Sequence, residues 1–205
     1  QELVARMRKE DCLCRENSTA DLGTPVVLPT RAGELKVFVY EAAAGAPVFF
    51  NIHGGGFVAG IPEADAGFCA KLHETLQIWV VNLSYRLAPE TVCPGDKEDV
   101  LDLLEEIWKR EAEFPFDRNR MAIGGHSAGG NIATTVCRML RDQGRYPFLA
   151  QVLNCPPLDF FTPAAEKYFA EGAVPPEDAE IFDACYRPEG MDAKDIRISP
   201  LWQSP

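Results

Sequence analysis

The sequence predicts an α/β fold: a mostly parallel sheet with flanking helices and a cap region. Three observations predict it. Segments with the lengths of strands and helices alternate along most of the chain. Two of the strand segments, 47–52 and 78–83, are almost continuously apolar, as strands buried on both faces are. Two glycine-rich strings, His53-Gly54-Gly55-Gly56-Phe57 and Gly125-His126-Ser127-Ala128-Gly129, each follow such a strand, and reactive loops of parallel sheets gather at strand carboxyl ends.

Taken in order, residues 2–16 place Leu3, Val4, Met7 and Leu13 near helical spacing among charges, which predicts a short amphipathic helix. Residues 24–28 and 35–40 read as strands joined by a turn at Arg31-Ala32-Gly33. The buried strand 47–52 delivers the glycine triplet. Residues 63–76 read as a helix with Phe68, Leu72 and Leu76 on one stripe, and 78–83 as a second buried strand. A helix from about 96 to 112 turns Val100, Leu103, Leu104, Ile107 and Trp108 inward. A short strand at 121–124 ends in the second glycine string, a helix runs from 127 to about 143, and 148–153 is a further strand.

Residues 156–198 differ, being rich in proline and in aromatics such as Phe160, Phe161, Tyr168, Phe169, Phe182 and Tyr186. They predict a cap over the sheet's carboxyl edge. The chain is thus expected to form one incomplete domain: an N-terminal cap-helix region over 1–23, core over 24–155, cap over 156–198, and a return to the core over 199–205.

The composition excludes several classes of function. The 205 residues carry 20 basic and 31 acidic side chains, a formal net charge of −11. Such a surface repels phosphate backbones and anionic lipid, so neither nucleic acid nor membrane is an expected partner. The seven cysteines are odd in number and lack framework or metal-site spacing. Cys137 and Cys155, among apolar neighbours, are expected to be buried reduced thiols, and the chain is expected to be cytoplasmic. No metal or organic cofactor is implied, since the loop glycines lack the lysine of a phosphate-binding loop.

The second glycine string is a G-x-S-x-G nucleophile elbow, with glycines two residues either side of Ser127 where a sharp strand-to-helix turn leaves no room for Cβ atoms. In the first string, bare backbone N–H groups can approach a ligand and stabilise developing negative charge. Together they supply a nucleophile and an oxyanion hole, two parts of serine acyl-transfer chemistry. The third part, a histidine base with its carboxylate, is missing. The histidines are His53, His73 and His126 only, and none follows Ser127, although this chemistry on such sheets runs in the order Ser, acid, His. His126 adjoins the serine, but adjacent side chains diverge in a sharp turn. His53 is expected to order its own loop, and His73 to be an ordinary surface or satisfied histidine. Carboxylates do follow Ser127, and Asp159 among them reads as a turn or cap residue.

Four strings together resemble the hormone-sensitive-lipase-like carboxylesterases of the α/β-hydrolase fold: His53–Phe57, Ser84-Tyr85-Arg86-Leu87-Ala88-Pro89-Glu90, Asp117-Arg118, and Gly125-His126-Ser127-Ala128-Gly129-Gly130-Asn131. The resemblance runs from about residue 24 to 201. One departure is His126, where many members carry aspartate or threonine. The resemblance implies Ser127 as nucleophile, the N–H groups of Gly55, Gly56 and Ala128 as oxyanion donors, and Gly54 and His53 as loop support. It also implies a small-molecule ester substrate with a short acyl or small apolar part. Phe57, Phe160, Phe161 and Phe169 are the candidate pocket residues. Members of the family continue past the Ser199-Pro200-Leu201 segment with strands that carry the acid and the histidine. The expectation is therefore that the triad is completed by a missing segment or a second chain, and that the sheet is left with an exposed edge and an uncovered core face. A catalytically silent small-molecule binding or receptor module on the same fold is the alternative.

Overall fold

The computed structural model describes residues 1–145, 147–168 and 170–202. Among the described residues five α-helices and six strands follow one another, all but α5 where expected: α1 (Glu2–Asn17), β1 (Thr24–Thr30), β2 (Gly33–Tyr40), β3 (Val48–Ile52), α2 (Ala66–Leu76), β4 (Trp79–Leu83), α3 (Gly95–Lys109), β5 (Met121–His126), α4 (Ala128–Asp142), β6 (Phe148–Asn154) and α5 (Pro176–Tyr186). The strands form one mixed sheet in the order β1-β2-β4-β3-β5-β6. β1–β2 and β2–β4 pair antiparallel, while β4–β3, β3–β5 and β5–β6 are parallel. The two central apolar runs are β3 and β4, and all ten of their residues are buried.

Pleating divides β3 between two unequal layers. Val48, Phe50 and Ile52 point into the main core beneath α3 and α4, where Val100, Leu103, Leu104, Ile107, Ile132, Val136 and Leu140 pack. Phe49 points the other way, into a small cluster with Tyr40, Val80, Cys69 and Ala70 under α2.

The α2 face differs from the expectation. Its buried residues are Ala66, Cys69 and Ala70, whereas Phe68 and Leu76 are exposed. Small side chains let the helix sit close on Phe49 and Val80, which turns the larger ones outward. α1 departs similarly. Only Val4 of its apolar residues is buried, and Leu13 is exposed. Polar ties seat this helix instead. Arg15 pairs with Glu63 at 3.1 Å, and Asp11 accepts the Gly60 N–H at 2.7 Å.

β6 is an edge strand with six of its seven residues exposed. Over β5 and β6 the α2 face of the sheet is open, and Phe49, Asn51, Asp65, Phe68, Val152 and Asn154 line the resulting cleft. Cys155, expected to be buried, is exposed because it leaves this edge strand at φ 41°. Cys69, Cys93 and Cys137 are buried. No helix among the described residues is long and apolar enough to cross a membrane.

Within the cap, hydrophobic periodicity did not announce α5. Pro176 in its first turn, together with Glu177 and Asp178, was the usable signal, because proline and acidic residues favour a helix start.

Candidate active site

β5 ends at His126, and α4 begins at Ala128. Between them Ser127 adopts φ 51°, ψ −122°, a conformation that costs a non-glycine residue about 1–3 kcal/mol. Tight packing compensates this cost. A Cβ on Gly129 would lie 2.0 Å from the Ile52 carbonyl oxygen, so the first turn of α4 passes directly over the end of β3. The Ser127 N–H donates to the Asn154 carbonyl at 2.8 Å, which ties the bend to β6. The Ser127 carbonyl accepts from Gly130 and Asn131, closing the first helical turn. Asn131 is buried and its amide donates to the carbonyls of Pro157 and Ile198, at 2.7 and 2.8 Å, joining α4 to both ends of the cap.

The glycine triplet rises from the end of β3 beside this bend. Gly55 has φ 124°, and a Cβ there would stand 2.0 Å from the Ala59 carbonyl oxygen, so no other residue fits without moving the loop. The Gly55 carbonyl accepts from Val58 and Ala59. The N–H groups of Gly55, Gly56 and Ala128 donate to no protein acceptor among the described residues. That of Ala128 lies at the start of a 15-residue helix, where the dipole favours negative charge. Unpaired donors on a loop and a helix N-terminus beside a strained serine can receive the oxyanion of a tetrahedral intermediate.

Arg8, which no sequence signal marked, grips the return of this loop. It donates to the carbonyls of Val58 and Ala88, at 2.8 and 2.7 Å, and forms a two-pronged pair with Glu90 at 2.8 and 2.7 Å. The Glu90 carboxyl falls to about 2 because Arg8 hydrogen-bonds its ionised form.

Each histidine is engaged elsewhere. His53 is buried, stacks on Tyr85 with ring centroids 4.3 Å apart, and donates from Nδ1 to the Gly54 carbonyl at 2.8 Å. Burial holds it below its ordinary pKa, that is, neutral. The Tyr85 hydroxyl donates to the His53 carbonyl. His126 turns towards α2, with Nδ1 3.6 Å from Asp65 and Nε2 against Gly54. His73 donates to the Ile78 carbonyl at 2.9 Å. Among the described residues Ser127 Oγ has no hydrogen-bond partner, histidine or other. Asp159 caps the turn of Phe161 and Thr162 and accepts from the Trp202 indole at 2.8 Å. Although burial opposes its ionisation, these donors outweigh that and lower it to about 2.

The candidate aromatics are spread out. Phe57 is buried and stacks on Tyr186 of α5, centroids 3.9 Å apart, with Phe160 at 6.0 Å. Phe160 and Phe161 both line a cavity between residues 157–167 and α5. Phe161 is half-exposed, edge-on to Trp202 at 5.0 Å. Phe169 lies outside the described residues. Phe182, which was not among the aromatics expected at the pocket, packs on the oxyanion loop itself: a Cβ on Gly56 would lie 2.8 Å from its ring.

A protein family described as the alpha/beta hydrolase fold matches residues 49–205. The carboxylic ester hydrolase LipN of Mycobacterium tuberculosis is 33% identical over 191 residues, covering 87% of this chain and 50% of the relative. An ethyl acetate hydrolase of Pseudomonas putida is 31% identical over 185 residues, covering 85% and 58% respectively. The crystal structure of the thermostable carboxylesterase EstE1, cloned from a metagenomic library, superposes with a TM-score of 0.85 at 33% identity, covering 99% of this chain and 72% of that one. The chain spans about half the length of the curated relatives it matches.

Proposed function

This chain belongs to the hormone-sensitive-lipase-like carboxylesterases of the α/β-hydrolase fold, and from that premise we propose that it contributes Ser127 and the oxyanion hole to a serine carboxylic-ester hydrolase. Ser127 Oγ attacks the ester carbonyl carbon and its proton passes to a base. The carbonyl oxygen, now negative, is held by the N–H groups of Gly55, Gly56 and Ala128. Collapse of this intermediate breaks the bond to the alcohol oxygen, which leaves with the proton, and water then releases the acid from the acyl-serine. Losing one oxyanion donor costs about 3 kcal/mol of barrier in such chemistry.

The observation that carries this proposal is the strained serine beside three unpaired backbone donors. The base is not His53, His73 or His126, whose rings are engaged with Gly54, Ile78 and Asp65. Acid and base therefore come from a further segment or a second chain. A short-acyl or small apolar ester suits the apolar rings around the loop, and the ethyl acetate hydrolase is a relative with a substrate of that size in its name. A catalytically silent binding module is the second reading, and the unpartnered Ser127 Oγ is what favours it.

The test is hydrolysis of p-nitrophenyl acetate and butyrate. Residues 1–205 alone are expected to show no appreciable turnover. The same chain joined to a segment carrying an acid and a histidine is expected to turn over, and Ser127→Ala to abolish that activity. Rapid hydrolysis by residues 1–205 would refute the proposed lack of a base. Ester binding without turnover in the completed protein would favour the silent module.

A further inference from the structure

Behind the glycine loop lies a buried ion pair that the proposed chemistry does not use. Lys97 is fully buried in the first turns of α3. Its ammonium donates to Asp96 Oδ2 at 2.9 Å and to the Tyr186 hydroxyl, which itself donates to Asp96 Oδ2 at 2.8 Å. The rest of the ammonium faces aromatic rings, 5.0 Å from the centre of Phe57 and 4.6 Å from that of Tyr186. Asp96 Oδ1 is buried with no partner among the described residues. Apolar side chains of similar size often hold a core as well as a buried ion pair does. The purpose of this pair therefore has to be sought in what it touches.

It touches Phe57. Gly55, Gly56 and Phe57 have successive φ values of 124°, 61° and 66°. Glycine adopts such angles freely, whereas phenylalanine keeps them only where its surroundings impose them. Here three contacts do so. Tyr186 stacks on the ring with an interplanar angle of 8°, Lys97 covers it, and the Phe57 carbonyl accepts the Ala88 N–H at 2.9 Å. One turn earlier on α5, Phe182 lies against Gly56. The cap helix thus meets both residues of the loop's apex through side chains four positions apart.

We propose that Asp96, Lys97 and Tyr186 form a positioning cluster that fixes Phe57 in its left-handed conformation and so aims the N–H groups of Gly55 and Gly56. Docking of α5 and assembly of the oxyanion hole are then one event. When the tether is cut, Phe57 relaxes towards negative φ, the Gly56–Phe57 peptide turns with it, and the freely rotating glycines pass the turn back to the Gly54–Gly55 and Gly55–Gly56 peptides that carry the two donors. The inference rests on the reading of Gly55 and Gly56 as oxyanion donors.

Two variants test it. Tyr186→Phe keeps the stacked ring and removes the tether. Asp96→Asn with Lys97→Met removes both charges together, so neither is left buried alone. Amide exchange of Val58 and Ala59 and amide chemical shifts of Gly55, Gly56 and Phe57 are read in residues 1–205, and kcat and KM for p-nitrophenyl butyrate in the protein completed with its base. Exchange at Val58 and Ala59, whose N–H groups donate to the Gly55 carbonyl, is expected to quicken about tenfold while Leu101–Ile107 of α3 keeps its protection. A fall in kcat of about 10–100-fold is expected at nearly constant KM. The proposal is overturned by unchanged exchange in both variants, by equal acceleration in loop and α3, or by a raised KM with kcat intact. If the completed wild type turns over no ester, the assignment of Ser127 fails, while the exchange comparison still decides the cluster's role.

Discussion

His126 Nδ1 stands 3.6 Å from the carboxylate of Asp65, so the residue preceding the nucleophile faces α2 and not the serine hydroxyl. The opposite edge of the ring lies against Gly54, where a Cβ would come within 2.4 Å of Nε2. Asp65 in turn accepts the Asn51 amide at 2.8 Å, and Asn51 also donates to Asn82. The imidazole therefore braces the elbow against both the glycine loop and the start of α2. This is a support role, and it makes the brace sensitive to protonation.

The Asp65 carboxylate raises the His126 pKa above its ordinary 6.5 against the opposing effect of burial. Burial likewise opposes ionisation of Asp65, but His126 and Asn51 outweigh it and hold that carboxyl below 3.8. A raised histidine stabilises the fold fully below pH 6.5, and the contribution disappears as pH rises through the folded value. A lowered carboxyl contributes above 3.8, and this is lost as pH falls through the folded value. The pair thus acts fully between those limits. With the His126 side chain 44% exposed, screening reduces it to about 0.5 kcal/mol. Urea unfolding at pH 5.5 and pH 8.5 is expected to show this difference in the wild type and not in His126→Gln. Equal pH dependence in the two proteins would exclude the brace.

Much of the core was legible because it depends on local pattern. The almost continuously apolar runs of β3 and β4, and the glycines that flank Ser127, announce double burial and a cramped bend without reference to distant residues. What escaped depends on partners far along the chain. Asp96 and Lys97 look like a solvated first turn, and only Tyr186, about ninety positions away, makes them interior. Phe182 gains its place from Gly56 in the same manner. Arg8 sits on a helix whose apolar stripe suggested packing, yet its neighbours are carbonyls that any loop could offer. The stripe on α2 misled for a related reason, since the close seat fell to the small residues.

Gly55→Ala should abolish turnover in the completed protein while leaving most of the molecule folded. The added methyl meets the Ala59 carbonyl oxygen at 2.0 Å, and φ 124° is strained for any side chain. Relaxing both displaces the donor, and a lost donor costs about 10²–10³ in kcat. The melting temperature and the steady-state rate together check this. A variant that retains kcat would remove Gly55 from the oxyanion hole.

Arg8→Met should release α1. Its single buried apolar residue is Val4, so its seat depends on Arg8, Asp11 and Arg15. Hydrogen bonds to a charged group contribute about 1.5–3 kcal/mol each when sheltered, and less here where the side chain is partly exposed. Limited proteolysis should cut first within residues 2–17 in this variant. In the wild type, 1 M salt should produce part of the same effect, because screening shortens to about 3 Å. Cleavage patterns indifferent to both the substitution and salt would show that α1 is seated otherwise.

The free edge of β6 should make residues 1–205 self-associate. Among the described residues β6 has a sheet neighbour on one side only, and its Leu149 and Val152 are 74% and 53% exposed. Phe68 extends the apolar surface across the open cleft beside Val152. An edge strand of this kind templates pairing with another chain, and charged side chains on it are the usual remedy. Sedimentation across a micromolar concentration series should therefore show growing assemblies in the wild type, with Leu149→Lys/Val152→Lys remaining monomeric. Ser127→Ala, which leaves the edge untouched, should associate as the wild type does. A wild type that stays monomeric at the top of the series, or a double-lysine variant that associates equally well, would show that this edge attracts no partner.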